Sequence, residues 1–116
     1  MTEIRMDYIG GILSENEYKF LTKRTKPMVR MWMSQLSEKV KQAEIPESKY
    51  YTIGVFGRFY DERRPDISNL FKVISDAIQK GLGVDDKWFR MEDRGYELGV
   101  FEQELVITIE GEKSES

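Results

Sequence analysis

Five side chains between positions 66 and 86 carry the chemistry of this chain: Asp66, Lys72, Asp76, Asp85 and Asp86. Four carboxylates gathered around one short amphipathic segment repel one another unless a cation sits among their oxygens. A hard divalent ion suits the group, because Mg²⁺ takes one or two carboxylates, keeps waters and draws further oxygens from phosphate. Such an ion activates water for in-line attack on phosphorus. The residue types therefore point to metal-dependent phosphodiester chemistry. What is missing narrows the field further. With no histidine and no cysteine, Ser-His-Asp catalysis, His-ligated zinc, thiolate sites and disulfides are excluded.

Spacing sorts the acids. Asp66 stands where a loop enters a helix, and the positive helix end favours a carboxylate there. Ser68 has the right side chain for an N-cap, so plain capping accounts for both residues. Lys72 falls roughly 6 Å along the axis from Ser68. From there an ammonium reaches a phosphate near the helix start and stabilises charge on phosphorus or the leaving oxygen. Its plainer role is an i,i+4 ion pair with Asp76. Asp76 lies roughly 12 Å along the axis from Ser68, too far to share an ion with Asp66. Asp85 and Asp86 follow a glycine turn. The chain from Gly81 to Asp86 spans about 17–18 Å when extended, which makes a fold-back onto Asp66 just feasible. Side-chain alternation lets only one of the two face inward.

The elements that must position these groups can be read from hydrophobic periodicity. Ile4–Ile9 reads as a strand broken by Gly10-Gly11. A helix is expected from Thr25 as N-cap, with Pro27 in its first turn, to about Gln42, and Met28, Trp32, Leu36 and Val40 recur along it. Tyr51–Tyr60 alternates as a strand, and Asp61–Pro65 is a charged connection. A second helix runs from about Asn69 to Lys80, its apolar face traced by Ile67, Leu70, Val73, Ile74, Ala77 and Ile78, until Gly81-Leu82-Gly83 stops it. Strands near Lys87–Glu92 and Glu104–Glu110 are expected to form a hairpin through Arg94-Gly95 or Leu98-Gly99. The order is β-α-β-α-β-β: an α+β domain (residues 1–110) of two helices on a small mixed sheet, with a polar tail at 111–116.

At 116 residues with 34% charged and 40% hydrophobic content, one domain with a single core is expected. No apolar run approaches the ~20 residues of a membrane span and the first residues hold no signal-peptide core, so a cytoplasmic location without a membrane partner is expected. Net charge is −3, yet residues 1–84 hold 14 basic and 11 acidic side chains against 4 and 10 in the remainder. Lys19, Lys23, Arg24, Lys26 and Arg30 form a run with no acid among them, and Arg63 and Arg64 precede Asp66. These are the candidate phosphate contacts; a solvated basic surface is the equal alternative.

Arg64-Pro65-Asp66-Ile67-Ser68-Asn69-Leu70-Phe71-Lys72, then Ser75-Asp76-Ala77-Ile78, then Gly83-Val84-Asp85-Asp86 resembles the RusA-type Holliday-junction resolvases. Their pattern has Pro or Arg before Asp-x-Asp-Asn-Leu-x-Lys, then Asp-Ala-Leu, then a glycine and paired aspartates. Leu13-Ser14-Glu15-Asn16-Glu17-Tyr18 is similar to the family's Pro-Ser-x-Asn segment and adds Asn16 to the candidate DNA contacts. The resemblance implies a homodimeric endonuclease that uses Mg²⁺ or Mn²⁺ to nick branched double-stranded DNA at paired positions, leaving a 5′-phosphate and a 3′-hydroxyl. It implies catalytic roles for Asp66, Lys72 and Asp86, metal contacts from Asp66, Asp86 and Asp85, and supporting roles for Asn69 and Asp76. Aromatics near Trp88-Phe89 or Tyr50-Tyr51 are candidates for the dimer contact, with core packing their plainer use.

The departure is Ser68, where the family has a second metal-binding aspartate. Serine keeps a capping hydroxyl and loses a formal charge. Three readings stay open: an active nuclease with weaker metal affinity, a junction-binding protein that cuts poorly or not at all, and a deliberately substituted residue. A fourth, from another class, is a non-enzymatic interaction module whose aspartates are caps and solvated acids.

Overall fold

The computed structural model describes residues 1–19 and 24–112. Six regular elements follow in the expected order: β1 (Thr2–Asp7), α1 (Pro27–Gln42), β2 (Tyr50–Arg58), α2 (Phe71–Leu82), β3 (Phe89–Glu97) and β4 (Glu104–Glu112). Short 3₁₀ turns occupy Gly11–Leu13, Ile67–Leu70 and Asp86–Trp88. The α+β class with two helices on one mixed sheet holds. β4 runs on to Glu112, into the stretch expected as tail; positions 113–116 lie outside the described residues, as does Lys23.

α1 begins at Pro27, as its fixed φ favours, but Lys26 rather than Thr25 is the capping residue and no side chain bonds the helix end. Its buried face is Val29, Trp32, Met33, Leu36 and Val40. Met28 is 61% exposed. Four residues advance a helix by 400°, so a stripe of every fourth residue drifts ~40° per step. With Trp32, Leu36 and Val40 on the core, the stripe's first member, Met28, is rotated off it. In α2 the buried set is Val73, Ile74, Ser75, Ala77 and Ile78. Gly83 closes the helix in the left-handed region (φ 71°), its N–H donating to the Gln79 carbonyl. The two helices pack closely where Ser37 Oγ donates to the Ala77 carbonyl at 2.7 Å.

The sheet order is β1-β4-β2-β3. β4 pairs antiparallel with both β1 and β2, and β3 pairs parallel with β2. The expected β3–β4 hairpin is therefore not formed. Both of its strands exist, but the connection crosses the end of β2, where Gly99 N donates to Tyr60 O at 3.0 Å and Val100 N to Phe59 O at 3.1 Å. α2 thus links two parallel neighbours as a βαβ crossover. Ile53, Val55, Leu105, Ile107 and Ile109 point from the sheet into the core with the helix faces. The free edge of β1 is covered by α1: Trp32 Nε1 donates to Asp7 O and Lys39 Nζ to Arg5 O, each at 2.7 Å. Among the described residues no helix is long and apolar enough to cross a membrane.

Candidate active site

Asp66 is the last extended residue before the 3₁₀ turn (φ −69°, ψ 128°), and its side chain makes no capping bond. Its carbonyl accepts from Asn69 N at 3.0 Å. Ile67 and Leu70 beneath it are fully buried. Gly57 leaves room for Ile67, since a Cβ there would stand 3.0 Å from Ile67 Cδ1 and collide with the Phe59 ring. The backbone at Asp66 is therefore anchored while its carboxylate stays exposed and uncommitted. Ser68 is not the cap expected from the sequence. It lies within the turn, exposed, because helical geometry begins one residue past Asp66.

Lys72, the second residue of α2, has a half-exposed side chain and its ammonium 3.4 Å from Asp76 Oδ1. The other Asp76 oxygen accepts from the Tyr18 hydroxyl at 2.9 Å. Burial, then the bond to Asp76, pushes the Tyr18 hydroxyl far above the usual phenol range, so it remains a donor. Glu15 N donates to Asn69 O at 2.7 Å. The loop bearing Asn16, which is exposed, is thus stitched to the turn below Asp66 at one point and to α2 at another.

Asp85 and Asp86 sit at the far end of α2. Asp85 caps the 3₁₀ turn, accepting from Lys87 N at 3.0 Å. Asp86, the turn's first residue, is partly buried. Beyond them Tyr51 is core, with Phe89 edge-on to it at 6.1 Å. Trp88 is 42% exposed.

One chain does not bring Asp66 and Asp86 together. In a βαβ unit the loops before and after the helix lie at opposite ends of the strands. Asp66 is at the end where Gly57 pairs with Tyr96; Asp86 precedes Phe89, which pairs with Tyr51. Six residues of strand separate the two levels, about 20 Å, and the 12 residues of α2 span about 18 Å. The fold-back that the sequence left just feasible does not occur within one chain. Among the described residues no three acidic side chains cluster so as to hold an ion. Asp66, Ser68 and Lys72 share one end; Asp85 and Asp86 share the other. A lone carboxylate beside a hydroxyl suits Mg²⁺ only with phosphate or a second protein chain completing the shell.

The basic candidates fall into separate groups. Lys19 and Arg24 are exposed, and Lys26 pairs weakly with Glu17 at 3.9 Å. Arg30 joins Lys41 and Lys80 around a cleft of about 310 Å³ beside α1. Arg63 is held by Asp61 at 2.7 Å, which lies below its usual pKa because of that guanidinium. Arg64 lies flat on Tyr96, its guanidinium carbon 3.6 Å from the ring centre. Lys41 and Lys80 were not legible as contacts, being lysines in last helical turns, where they also suit the helix end. Tyr60 and Phe101 were missed as well, although Phe101 breaks the alternation after Gly99 and is 88% exposed.

Comparison with known proteins adds one finding. The family model described as Endodeoxyribonuclease RusA matches residues 6–110. No curated protein matches the chain.

Proposed function

Because this chain belongs to the RusA endodeoxyribonuclease family, we propose that it is a divalent-metal-dependent endonuclease that resolves four-way DNA junctions as a homodimer. The observation that carries the reading is the family match, which spans every candidate residue from Asn16 to Asp86. An anchored and uncommitted Asp66 beside Lys72 agrees with it. Asp66 of one copy and Asp86 of a second copy, with Asp85 beside it, would hold Mg²⁺ or Mn²⁺, and the Ser68 hydroxyl would stand in for a carboxylate. The ion, when bound, supplies water activation and neutralises charge on the phosphate. Lys72 binds the phosphate near the scissile bond, and Asp76, braced by Tyr18, orients the ammonium. Two copies give two symmetric sites, as paired nicks require.

Titrating Mn²⁺ against a labelled four-way junction tests the reading. Paired nicks in opposing strands are expected. Ser68 favours a second reading, a junction-binding protein with weakened cutting, for which tight binding without nicks is the expected result. Neither binding nor cutting would eliminate both.

A further inference from the structure

We propose that the cleft just ahead of Asp66 seats one unstacked nucleobase of the branched DNA, with Phe101 and Tyr60 as its stacking surfaces. This rests on the junction-nuclease reading and adds the group that tells a branch point from plain duplex. The cleft encloses about 440 Å³, a size common to small-molecule sites. Tyr8, Tyr60 and Phe101 form its apolar walls; Arg63 and Arg64 form its basic rim, against the single acid Asp61.

Phe101 is the telling residue. At 88% exposure it is the most exposed aromatic among the described residues; Tyr60 follows at 54%. An exposed phenylalanine on a loose tip would be unremarkable. This one sits on a connection stitched down on both sides. Gly99 and Val100 donate to the Tyr60 and Phe59 carbonyls, Tyr60 N donates to Gln103 Oε1 at 2.9 Å, and Tyr8 N donates to Gln103 O at 3.1 Å. The fold therefore fixes the backbone on either side of Phe101 and leaves its apolar ring in water, without any gain in core packing.

A nucleotide offers what the cleft lacks: a flat apolar face and an anionic phosphate. Stacking on aromatic rings and pairing with arginine are the two terms by which unpaired nucleotides bind. Arg63 is largely exposed although Asp61 holds it, and Arg64 lies over Tyr96 with a buried Nε that has no partner, so the rim offers positive charge that a phosphate can share with Asp61. Bases within a continuous duplex are stacked on both faces and cannot enter; at a branch point one face is freed. Arg64 precedes Asp66 by two residues, so a base seated here brings its own backbone to that carboxylate.

The test uses the full chain, without added divalent metal, on four-way junctions carrying 2-aminopurine at successive positions around the branch. Wild type is expected to change the fluorescence at one or two positions beside it. Phe101→Ala is expected to abolish that change and weaken junction binding about tenfold, leaving binding to duplex of the same sequence within about twofold. Phe101→Trp is expected to retain the response. Met28→Ala, an exposed position on α1, should match wild type. The proposal is overturned if Phe101→Ala binds junctions like wild type or weakens junction and duplex alike. It also fails if wild type binds junctions but no 2-aminopurine responds, which leaves the nuclease reading standing. Wild type with no preference for junctions would remove both. A shift of Phe101→Ala from dimer to monomer in sedimentation would assign the ring to a second copy instead.

Discussion

Ser68 projects from the exposed turn that follows Asp66, with a hydroxyl where the family pattern has a carboxylate. A neutral oxygen donates less to a hard cation than an ionised one, so the metal shell proposed there would be one charge short. Ser68→Asp is expected to lower the Mn²⁺ midpoint for junction cutting by on the order of tenfold, the scale on which changes around a metal alter its affinity. If wild type already cuts well and the substitution leaves the midpoint where it was, position 68 is not at the ion. Asp76 provides the matching control. Tyr18→Phe removes the hydroxyl that braces it. Cutting should fall because Lys72 loses its fixed counter-charge, and junction binding should be nearly unchanged. The charge and spacing of Asp66, Ser68 and Lys72 were legible because they are local properties, whereas the cap expected at Ser68 depended on where the turn begins. Tyr18 was not legible, since its partner lies 58 residues away and nothing in the intervening chain records the contact.

The elements were legible for a similar reason, and their pairing was not. Alternation in β3 and β4 marks strands, but it is the same whether a strand meets its sequence neighbour or crosses to another. Here β3 lies beyond β2, and β4 enters between β1 and β2. Reading α2 as a crossover between parallel strands would have placed Asp66 and Asp86 at opposite ends from the outset. Weighing only the extended reach of Gly81–Asp86 left their meeting just feasible. The crossover makes Gly57 a pivot, because it lies under Ile67 at the Asp66 end. Gly57→Ala should drive a methyl into the Phe59 ring and against Ile67, costing about 1–3 kcal/mol in urea unfolding. It should also raise the Mn²⁺ midpoint, as the turn carrying Asp66 is pushed outward. Gly81→Ala overpacks the α1–α2 contact, where a Cβ would stand 2.8 Å from both Ser37 O and Val40 Cβ. It should destabilise to a comparable degree. A Gly57→Ala protein that loses stability but keeps its metal midpoint would detach the turn from the metal site.

For the whole molecule, the fold offsets part of the acidic C-terminal quarter by pairing three of its acids with arginines. Glu104 accepts from Arg58 at 2.8 Å and Arg5 at 2.6 Å, Glu97 also pairs with Arg58, and Glu92 pairs with Arg94 at 2.8 Å. These acids are neutralised on the sheet. Lys19, Arg24, Arg30 and Arg64 have no ion pair among the described residues, whereas Lys26 and Arg63 are paired. If all six touch phosphate, log affinity against log salt should fall with a slope of about −5 per chain; about −4 is expected if only the first four do. A flat dependence would remove this surface from the interface. The separation of Asp66 from Asp86 has a sharper consequence. Asp66→Asn and Asp86→Asn should each abolish cutting as pure proteins. In a mixed dimer, one site then contains both substitutions and the other contains neither. Mixing the two inactive proteins should therefore restore nicking, confined to one strand per junction. Sites built within single chains would leave every site in the mixture damaged. Continued inactivity after subunit exchange, verified with a tagged copy, would therefore rule out a metal shared across the dimer.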